Sequence, residues 1–372
     1  MEFDPGALSR HPDVEAPELY AADAADRLLL DEAADALAAA APGTVVVIGD
    51  NYGALTLGAT VRHGVRSIRV HQDGLSGERA LDANAQRLGI DAAWEHHDLD
   101  ADLTGDAEVV LVRLPRSIDA LSEIAETVAQ HAAPGVRVFA AGMVKHMALS
   151  MNDVLRQSFG RLDVTHARQK ARVLVAAEPV VASASTWPRR QTDAATGLTV
   201  VAHGAAFAGP VVDIGTRLLL GNLDAAPRVA SAIDLGCGTG VIAAWLARER
   251  PGLRVLATDQ SAAAIASARA TVAANGVADR VDVVRDDALS GHPDASAELI
   301  VLNPPFHIGP VVHRGIALKL FADAGRVLAP GGELWTVWNS HLRYRPDLER
   351  LVGPTRQIAR DRTFTVTASR AP

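Results

Sequence analysis

The feature that most constrains the fold of this chain is a glycine-rich turn that follows a short apolar run. The run covers residues 231–235, and the turn reads Asp234-Leu-Gly-Cys-Gly-Thr-Gly240. Apolar residues at helical spacing then continue to Ala247. Glycine is required where the backbone takes a positive φ or approaches a ligand closely, and the first turn of a helix offers unpaired N–H groups. The pattern therefore predicts a strand, a tight turn and a helix that bind a nucleotide-like cofactor.

A second predicted strand, residues 253–259, ends in Asp259, which follows the turn by about 20 residues. A carboxylate at that place in a nucleotide-binding unit accepts hydrogen bonds from the two hydroxyls of a ribose. The glycine spacing is GxGxG, not the GxGxxG of dinucleotide sites, and Asp234 precedes it. This combination favours S-adenosylmethionine over a nicotinamide dinucleotide as the cofactor.

Two further predicted strands end in polar side chains. Residues 280–287 end in a carboxylate pair, of which we assign Asp287 to the adenine edge and Asp286 to a solvated turn. Residues 298–302 lead directly into Asn303. Because the carboxyl ends of parallel strands meet at one edge of a sheet, we expect Asp287 and Asn303 to lie at the edge that binds the cofactor.

The loop Asn303-Pro-Pro-Phe306 has the residue types that methyl transfer to an exocyclic amine requires. The lone pair of such an amine is drawn into its ring, so the amine reacts better when acceptors hold its two hydrogens. We predict the Asn303 side-chain oxygen and the Pro304 carbonyl as these acceptors, with both prolines stiffening the loop and Phe306 stacking on the base. Catalysis would then depend on orientation and on stabilisation of the developing charge. His307 either contacts the target base or caps the next helix.

The N-terminal half repeats this plan without its chemistry. Residues 22–41 are predicted as a helix, and residues 43–49 and 109–114 as buried strands. The loop Gly49-Asp-Asn-Tyr-Gly53 has a tyrosine where a glycine close to a ligand would be expected. The loop Leu114-Pro-Arg-Ser117 has neither an asparagine nor an aromatic side chain. We interpret this half as a degenerate copy that binds no cofactor.

The predicted fold class is therefore α/β, with two tandem Rossmann-like class I methyltransferase domains of which the N-terminal one is degenerate. A length of 372 residues and a hydrophobic content of 48% are sufficient for two buried cores. Residues 183–197 are small and polar and include a proline, so we take them as a linker between domains 1–182 and 198–372.

Charge is distributed unevenly along the chain. The 36 basic and 44 acidic residues give a net charge of −8, which by itself disfavours an RNA partner. Residues 131–190 nevertheless contain nine basic and three acidic residues. Within them, Arg168-Gln-Lys-Ala-Arg172 alternates as a strand would, which places its cations on one side. We predict that these cations bind the phosphate backbone of RNA, the alternative being an ordinary solvated face.

The motifs together resemble the bacterial ribosomal RNA guanine-N2 methyltransferases, which have two tandem methyltransferase-like domains. The segments that carry the resemblance in the second half are Phe207–Leu220, Asp234–Gly240, Asn303–His307, Gly332–Asn339 and His341–Tyr344. Those in the first half are Gly49–Leu55, Leu114–Ser117 and Arg168–Arg172, and they are similar to the large-subunit branch. The resemblance implies that S-adenosylmethionine is the cofactor and that guanine N2 in ribosomal RNA is the target. It also implies that Asp213–Thr216 lies over the amino-acid end of the cofactor.

The candidate site residues follow from the motifs and the resemblance. The predicted cofactor-binding residues are Asp213, Gly215, Thr216, Asp234, Gly236, Cys237, Gly238, Gly240, Asp259, Asp287 and Asn303. The predicted catalytic residues are Asn303, Pro304, Pro305 and Phe306. The predicted RNA-binding residues are Lys145, Arg168, Lys170, Arg172 and His307.

Two other functions share part of this evidence. An Asn-Pro-Pro-aromatic loop also serves adenine N6 and glutamine amide nitrogen, so the loop alone does not select guanine. A non-catalytic RNA-binding factor of ribosome assembly would not need the complete set of carboxylates together with Asn303. Cys237 is the single cysteine, so we expect neither an internal disulfide nor a multi-cysteine zinc site, and we expect no metal. We further expect a cytoplasmic protein, since residues 1–20 lack a signal-peptide pattern, and a monomer, since two domains already form a pseudo-symmetric pair.

Overall fold

A computed structural model describes residues 3–91, 94–305 and 314–372 of the chain. The protein forms two compact units, residues 1–187 and residues 188–372. We call them the N-terminal unit and the C-terminal unit. A seven-stranded sheet forms the centre of each.

The sheet of the N-terminal unit is mostly parallel. Its strands are β1 Val45–Ile48, β2 Ile68–His71, β3 Trp94–His96, β4 Val109–Arg113, β5 Arg137–Met143, β6 Phe159–Val164 and β7 Ala171–Pro179. Their order across the sheet is β3-β2-β1-β4-β5-β7-β6. Strands β1 to β5 pair in parallel, whereas β7 is antiparallel to both β5 and β6.

Seven α-helices among the described residues connect and flank these strands. They are α1 Ala24–Glu32, α2 Ala34–Ala39, α3 Ala54–His63, α4 Leu75–Leu88, α5 Ala101–Thr104, α6 Ile118–His131 and α7 Leu149–Ser158, with short 3-10 helices at Pro5–Ala7 and Val144–His146. The predicted helix 22–41 is therefore two helices that meet at Ala33. Helix α1 begins with a capping box, in which the Asp23 side chain accepts from Ala25 N and the Asp23 N–H donates to Asp26.

The C-terminal unit has the same sheet plan. Its strands are β8 Arg189–Thr192, β9 Thr199–Ala202, β10 Ser231–Leu235, β11 Arg254–Asp259, β12 Val281–Arg285, β13 Ala297–Leu302, β14 Leu328–Asn339, β15 Thr355–Arg360 and β16 Phe364–Arg370. Its helices are α8 Ile214–Leu220, α9 Val241–Glu249, α10 Ala262–Ala274, α11 Arg314–Val327 and α12 Arg345–Leu351, with 3-10 helices at Leu223–Ala225 and Ser340–Leu342. The large sheet has the order β12-β11-β10-β13-β14-β16-β15, and β8 forms a separate hairpin with β9. Strand β8 thus occupies part of the stretch predicted as a linker.

Apolar side chains cover both faces of each large sheet. Along β13, Leu299 and Val301 pack into one core of the C-terminal unit, while Ile300 and Leu302 pack into the core on the opposite face. A strand that is apolar on both faces is typical of a parallel sheet with helices on each side. The strand orders and these two-sided cores confirm the predicted fold class.

The sheet order reverses between β10 and β13 in the C-terminal unit, because β11 and β12 lie beyond β10 and β14 lies beyond β13. Open α/β sheets bind ligands at the carboxyl ends of the strands beside such a reversal. The glycine-rich turn follows β10 and Asn303 follows β13, so both lie at this edge. Within the described ranges, no helix has the length and apolarity needed to cross a membrane.

Candidate active site

The turn after β10 is built from residues in the left-handed region. The φ angles of Gly236, Gly238 and Gly240 are 67°, 52° and 75°. A Cβ at Gly240 would stand 2.8 Å from the Ala268 Cα atom, so α9 and α10 can pack closely only around a glycine. A Cβ at Gly238 would meet no described atom within 4 Å. Gly240 is therefore required by helix packing, whereas Gly238 leaves open space beside the turn.

Asp234 lies buried beneath the turn. Its Oδ2 accepts from Ala243 N in the first turn of α9 at 2.9 Å. Its Oδ1 is also buried and has no hydrogen-bond partner among the described residues. The pKa of Asp234 is raised to about 7: burial raises it most, the hydrogen bond from Ala243 lowers it, and the negative charge of Asp259 adds to the rise. The site therefore contains a buried acceptor atom whose charge a cationic ligand would stabilise.

Asp259, at the end of β11, holds the turn in place. Its Oδ2 accepts from Gly238 N at 3.0 Å, and its Oδ1 accepts from Ser261 N at 3.0 Å. Each carboxylate oxygen can accept more than one hydrogen bond. The structure brings Asp259 to the turn, as the two-strand pattern indicates, and its binding to ribose stays a prediction.

The carboxylate pair after β12 differs from the sequence expectation in one respect. Asp286 is buried and organises the following turn by accepting from Ser290 Oγ at 2.5 Å and Gly291 N at 3.0 Å. The expectation of a solvated turn at Asp286 is therefore wrong, because three or more local donors compensate the loss of its hydration. Asp287 is also buried, and its Oδ2 accepts from Lys319 Nζ of α11 at 2.5 Å.

Asn303 is held from the side by the start of α8. Its Nδ2 donates to Asp213 Oδ2 at 3.2 Å and to Thr216 Oγ1 at 3.0 Å. Asp213 also caps α8, since the same Oδ2 accepts from Thr216 N at 3.1 Å. Gly215 lies against Phe364, where an added Cβ would stand 3.1 Å from Cε1 of the ring. Sequence reasoning placed Asp213 and Thr216 beside a cofactor and did not anticipate that they contact Asn303.

The remaining residues of the predicted catalytic loop differ in exposure. Pro304 is buried and Pro305 is exposed, whereas Phe306 and His307 lie outside the described residues. Cys237 in the glycine turn is buried, and burial, followed by the charges of Asp259 and Asp234, raises the pKa of its thiol well above the usual value. Cys237 therefore stays a neutral thiol and serves the turn as a small residue.

The corresponding turn of the N-terminal unit keeps the same backbone shape. Gly49, Asn51 and Gly53 have φ angles of 77°, 63° and 99°, which repeats the left-handed residues at the first, third and fifth positions. The expectation that Tyr52 replaces a glycine is wrong, because Tyr52 occupies the fourth position, which is Thr239 in the C-terminal unit. The third position, which is open in the C-terminal unit, is Asn51. Sequence comparison without the backbone angles did not reveal this register.

Arg113 stands at the place that Asn303 has in the C-terminal unit. Strand β1 pairs Ile48 with Val112, just as β10 pairs Leu235 with Leu302, and Arg113 is the next residue. The Arg113 guanidinium contacts Asp23 and Asp26, each at 3.0 Å. Burial raises the pKa of Asp26 to about 6, and the charge of Arg113 opposes this rise. The N-terminal unit therefore has an ion-pair cluster where the C-terminal unit has an amide acceptor.

The predicted RNA-binding segment 168–172 is not one continuous strand. Arg168 and Ala171 close a tight turn through two backbone hydrogen bonds, with Gln169 and Lys170 at positive φ. Of residues 168–172, only Ala171 and Arg172 belong to β7, so the alternation of a strand does not apply to Arg168 and Lys170. Arg168 is paired with Glu32 at 3.0 Å, whereas Lys170 is exposed at the tip of the turn.

No group of three or more metal-ligating side chains occurs within the part of the chain that the structure describes. The fold and the glycine turn define a class of protein. That class is a methyltransferase with a glycine-turn unit of Rossmann-like topology. The Methyltransferase small domain family matches residues 197–368, and the RLMG N-terminal domain family matches residues 1–180.

Relatives of nearly the same length narrow this class. The chain is 38% identical over 368 residues to ribosomal RNA large subunit methyltransferase G of Streptomyces coelicolor, covering 96% of each chain. It is 34% identical over 362 residues to the protein of that name from Pseudomonas aeruginosa, again covering 96% of each. The chain belongs to the ribosomal RNA large subunit methyltransferase G family. A 16S rRNA N2 methyltransferase of T. thermophilus, RsmC, shares the fold with a TM-score of 0.73 at 21% identity, over 94% of this chain and 92% of that one.

Proposed function

We propose that this protein transfers a methyl group from S-adenosylmethionine to the exocyclic N2 of a guanine in large-subunit ribosomal RNA. The observation that carries the proposal is the position of Asn303, which lies at the same sheet edge as the glycine turn with its amide nitrogen already engaged. The relatives over nearly the full length are named as methyltransferases of large-subunit ribosomal RNA. The T. thermophilus protein, named as an N2 methyltransferase, was solved with AdoMet and guanosine.

The residues at the turn fit S-adenosylmethionine. Asp234 Oδ1 is buried without a described partner, and a positively charged ligand would stabilise its charge. The same ligand could occupy the open space beside Gly238. Asp259 and Asp287 are the residues that would hold the ribose and the adenine, and Asp234 would face the turn. When bound, the cofactor supplies an electrophilic methyl group on a positively charged sulfur.

The chain itself would supply orientation for the reaction. Asn303 Oδ1 and the Pro304 carbonyl would accept the two hydrogens of the guanine amine, which directs the nitrogen lone pair out of its conjugation with the ring. Pro304 has no N–H and a fixed φ, so its carbonyl is presented rigidly. A strong base is not required, because an amine that carries a fourth substituent and a positive charge loses its proton readily. The base has to leave its stack to reach this edge.

The RNA contact is proposed at the carboxyl edge of the sheet in the N-terminal unit. Arg116 follows β4 and Lys145 follows β5, while Lys170 precedes β7 at the same edge, since Met143 pairs with Ala171. We call Arg116, Lys145 and Lys170 the edge cations. All three are exposed, and none forms an ion pair with a described residue.

Two observations support a common surface for the edge cations. Val144 N donates to the Lys170 carbonyl at 2.8 Å, so the 3-10 turn that carries Lys145 touches the hairpin tip. Partial burial, followed by the charges of Arg116 and Lys145, lowers the pKa of the neighbouring His146. Exposed cations without acidic partners are suited to the phosphate backbone, to which Arg168 and Arg172 would add contacts. A protein that methylates bacterial ribosomal RNA would act in the cytoplasm, and its monomeric state stays a prediction.

The test is methyl transfer to ribosomal RNA from a strain that lacks this protein. Purified protein, labelled S-adenosylmethionine and either free large-subunit RNA or large-subunit particles are combined, and the RNA is digested and analysed by mass spectrometry. We expect N2-methylguanosine at one position. The Asn303→Ala variant should react about 100-fold more slowly, the effect of removing one fixed polar group that acts on the transition state.

Binding measurements on the same Asn303→Ala protein serve as its control. Affinities for RNA and for S-adenosylmethionine close to those of the wild type would show that the site is folded. N6-methyladenosine as the product would contradict the choice of guanine. An unchanged methylation rate in Asn303→Ala, with normal RNA binding, would favour a non-catalytic assembly factor.

A further inference from the structure

We propose that Thr216 and Asp213 are positioning residues for Asn303, which fix the direction of its side-chain amide. Held in this way, Asn303 presents Oδ1, and not Nδ2, to the amine that receives the methyl group. The inference rests on the proposed function and goes beyond it, because it gives these two residues a task on the side of the RNA and not of the cofactor.

The contacts that carry the inference are made by side chains far apart in the sequence. Asn303 follows β13, whereas Asp213 and Thr216 belong to the start of α8, and 90 and 87 residues separate them from Asn303. Both hydrogens of the Asn303 Nδ2 are used, one toward Asp213 Oδ2 at 3.2 Å and one toward Thr216 Oγ1 at 3.0 Å. Thr216 is buried, so water does not readily replace its contact.

Asp213 decides which way the amide points. A carboxylate can only accept hydrogen bonds at neutral pH, so the Asn303 atom that faces it has to be the amide nitrogen. The hydroxyl of Thr216 can donate or accept, so it would tolerate either direction by itself. In the observed direction it accepts the second hydrogen and thereby removes the last free donor of the amide. The opposite direction would place an amide oxygen against the Asp213 carboxylate and lose the bond to Asp213.

The direction of the amide matters for the chemistry. An exocyclic amine with two hydrogens needs acceptors, and an amide that presented its nitrogen would offer donors instead. Such an amide would compete for the nitrogen lone pair that attacks the methyl group. Thr216 and Asp213 thus keep Asn303 in its reactive direction before RNA arrives, which is a form of preorganisation.

The experiment compares three variants at Thr216 in the full-length protein. Thr216→Val keeps the side-chain shape and removes the hydroxyl, Thr216→Ala removes the hydroxyl and the methyl group, and Thr216→Ser is the matched control that keeps the hydroxyl. We measure the dissociation constant of S-adenosylmethionine by calorimetry and the single-turnover methylation rate of ribosomal RNA at saturating cofactor. The Thr216→Val change is also made in the Asn303→Ala background.

We expect Thr216→Ser to react at nearly the wild-type rate. Thr216→Val and Thr216→Ala should react about tenfold more slowly, the effect of one lost hydrogen bond, with the cofactor dissociation constant within about twofold of wild type. In the Asn303→Ala background, Thr216→Val should have no further effect, because a positioning residue acts only through the group that it positions.

Either of two results would overturn the inference. One is a Thr216→Val protein that binds the cofactor about tenfold more weakly and reacts normally at saturation. The other is a Thr216→Val effect of equal size with and without the Asn303 side chain. A wild-type protein that makes no N2-methylguanosine would instead refute the proposed function, whatever the Thr216 variants do.

Discussion

At the scale of single residues, the site contains a buried carboxylate, Asp234, whose charged form lowers the stability of the folded protein. Asp234 is fully buried, and only one of its two oxygens has a described partner. A buried carboxylate that lacks a full set of donors is costly in its charged form. Binding of the proposed cofactor would account for a carboxylate at this place, since its single described hydrogen bond does not offset the cost of burying the charge.

The cost of burying this charge predicts that the free energy of unfolding of Asp234→Asn, compared with wild type, depends on pH. The pKa of Asp234 is about 7 in the folded state, compared with an ordinary value of 3.8, so the folded state holds this proton more tightly than the unfolded state. The wild type therefore loses stability as the pH rises from about 4 to about 7, by about 1.4 kcal/mol per unit. The free energy of unfolding of Asp234→Asn, relative to wild type, should rise over this window and stay constant above it.

Urea unfolding of the cofactor-free protein at pH 5, 6, 7 and 8 measures this difference. Asp282→Asn, at an exposed position of β12, is the control that removes a carboxylate without changing a buried one. Parallel stability profiles of wild type and Asp234→Asn would contradict the assignment. The Asn variant should also bind S-adenosylmethionine more weakly, since it loses the buried negative charge.

At the scale of elements, two glycines of the turn differ in their surroundings: Gly240 packs against α10, whereas Gly238 faces the space predicted for the cofactor. Gly238 and Gly240 both lie at positive φ, so alanine carries a similar backbone cost of about 1 kcal/mol at either position. An added Cβ at Gly240 would also collide with the backbone of α10, whereas one at Gly238 would enter open space. The two positions therefore form a matched pair within one loop.

We expect Gly240→Ala to lower the free energy of unfolding by about 3 kcal/mol or more, because helices α9 and α10 must move apart. Gly238→Ala should lower it by about 1 kcal/mol and mainly weaken S-adenosylmethionine binding. Thermal unfolding without cofactor and calorimetric titration with it measure the two effects. Equal destabilisation by the two changes would contradict the packing role of Gly240.

The elements themselves were largely predictable, because local patterns determine them. The apolar runs 43–49 and 109–114 indicated β1 and β4 to within two residues at each end, and the glycine spacing located the turn after β10. The contact of Asn303 with Asp213 could not be predicted, since it joins two elements 90 residues apart and depends on where α8 packs. The turn at Arg168–Ala171 was missed for a local reason. Gln169 and Lys170 both have positive φ, but neither residue type is enriched at such angles, so the sequence does not indicate the turn.

At the scale of the whole molecule, net charge conceals the proposed RNA surface. The chain has a net charge of −8, yet the edge cations stand without described acidic partners at one sheet edge of the N-terminal unit. Long-range repulsion of RNA by the acidic remainder is screened at physiological salt within about 8 Å. Local cations can therefore determine binding in an acidic protein.

Charge reversal tests this surface. Lys145→Glu with Lys170→Glu should weaken RNA binding by at least tenfold and reduce the salt slope by about two, since two phosphate contacts are lost. Arg156→Glu is the control, because Arg156 lies in the last turn of α7 just before β6 begins, at the opposite edge of the same sheet. Filter binding at several salt concentrations measures both quantities. An unchanged slope in the double variant, or an equal loss in the control, would argue against the edge cations.

The ion-pair cluster around Arg113 has a consequence for how the two units could diverge further. Replacing Arg113 with asparagine would leave the buried carboxylate of Asp26 without its cationic partner, and breaking a buried pair in this way costs about 3 kcal/mol or more. Asp50, buried where the C-terminal unit has Cys237, would still fill the turn. An asparagine at position 113 would therefore be tolerated only if the carboxylate of Asp26 changed with it. The N-terminal unit thus depends on a charged side chain at a position where the C-terminal unit has a neutral amide.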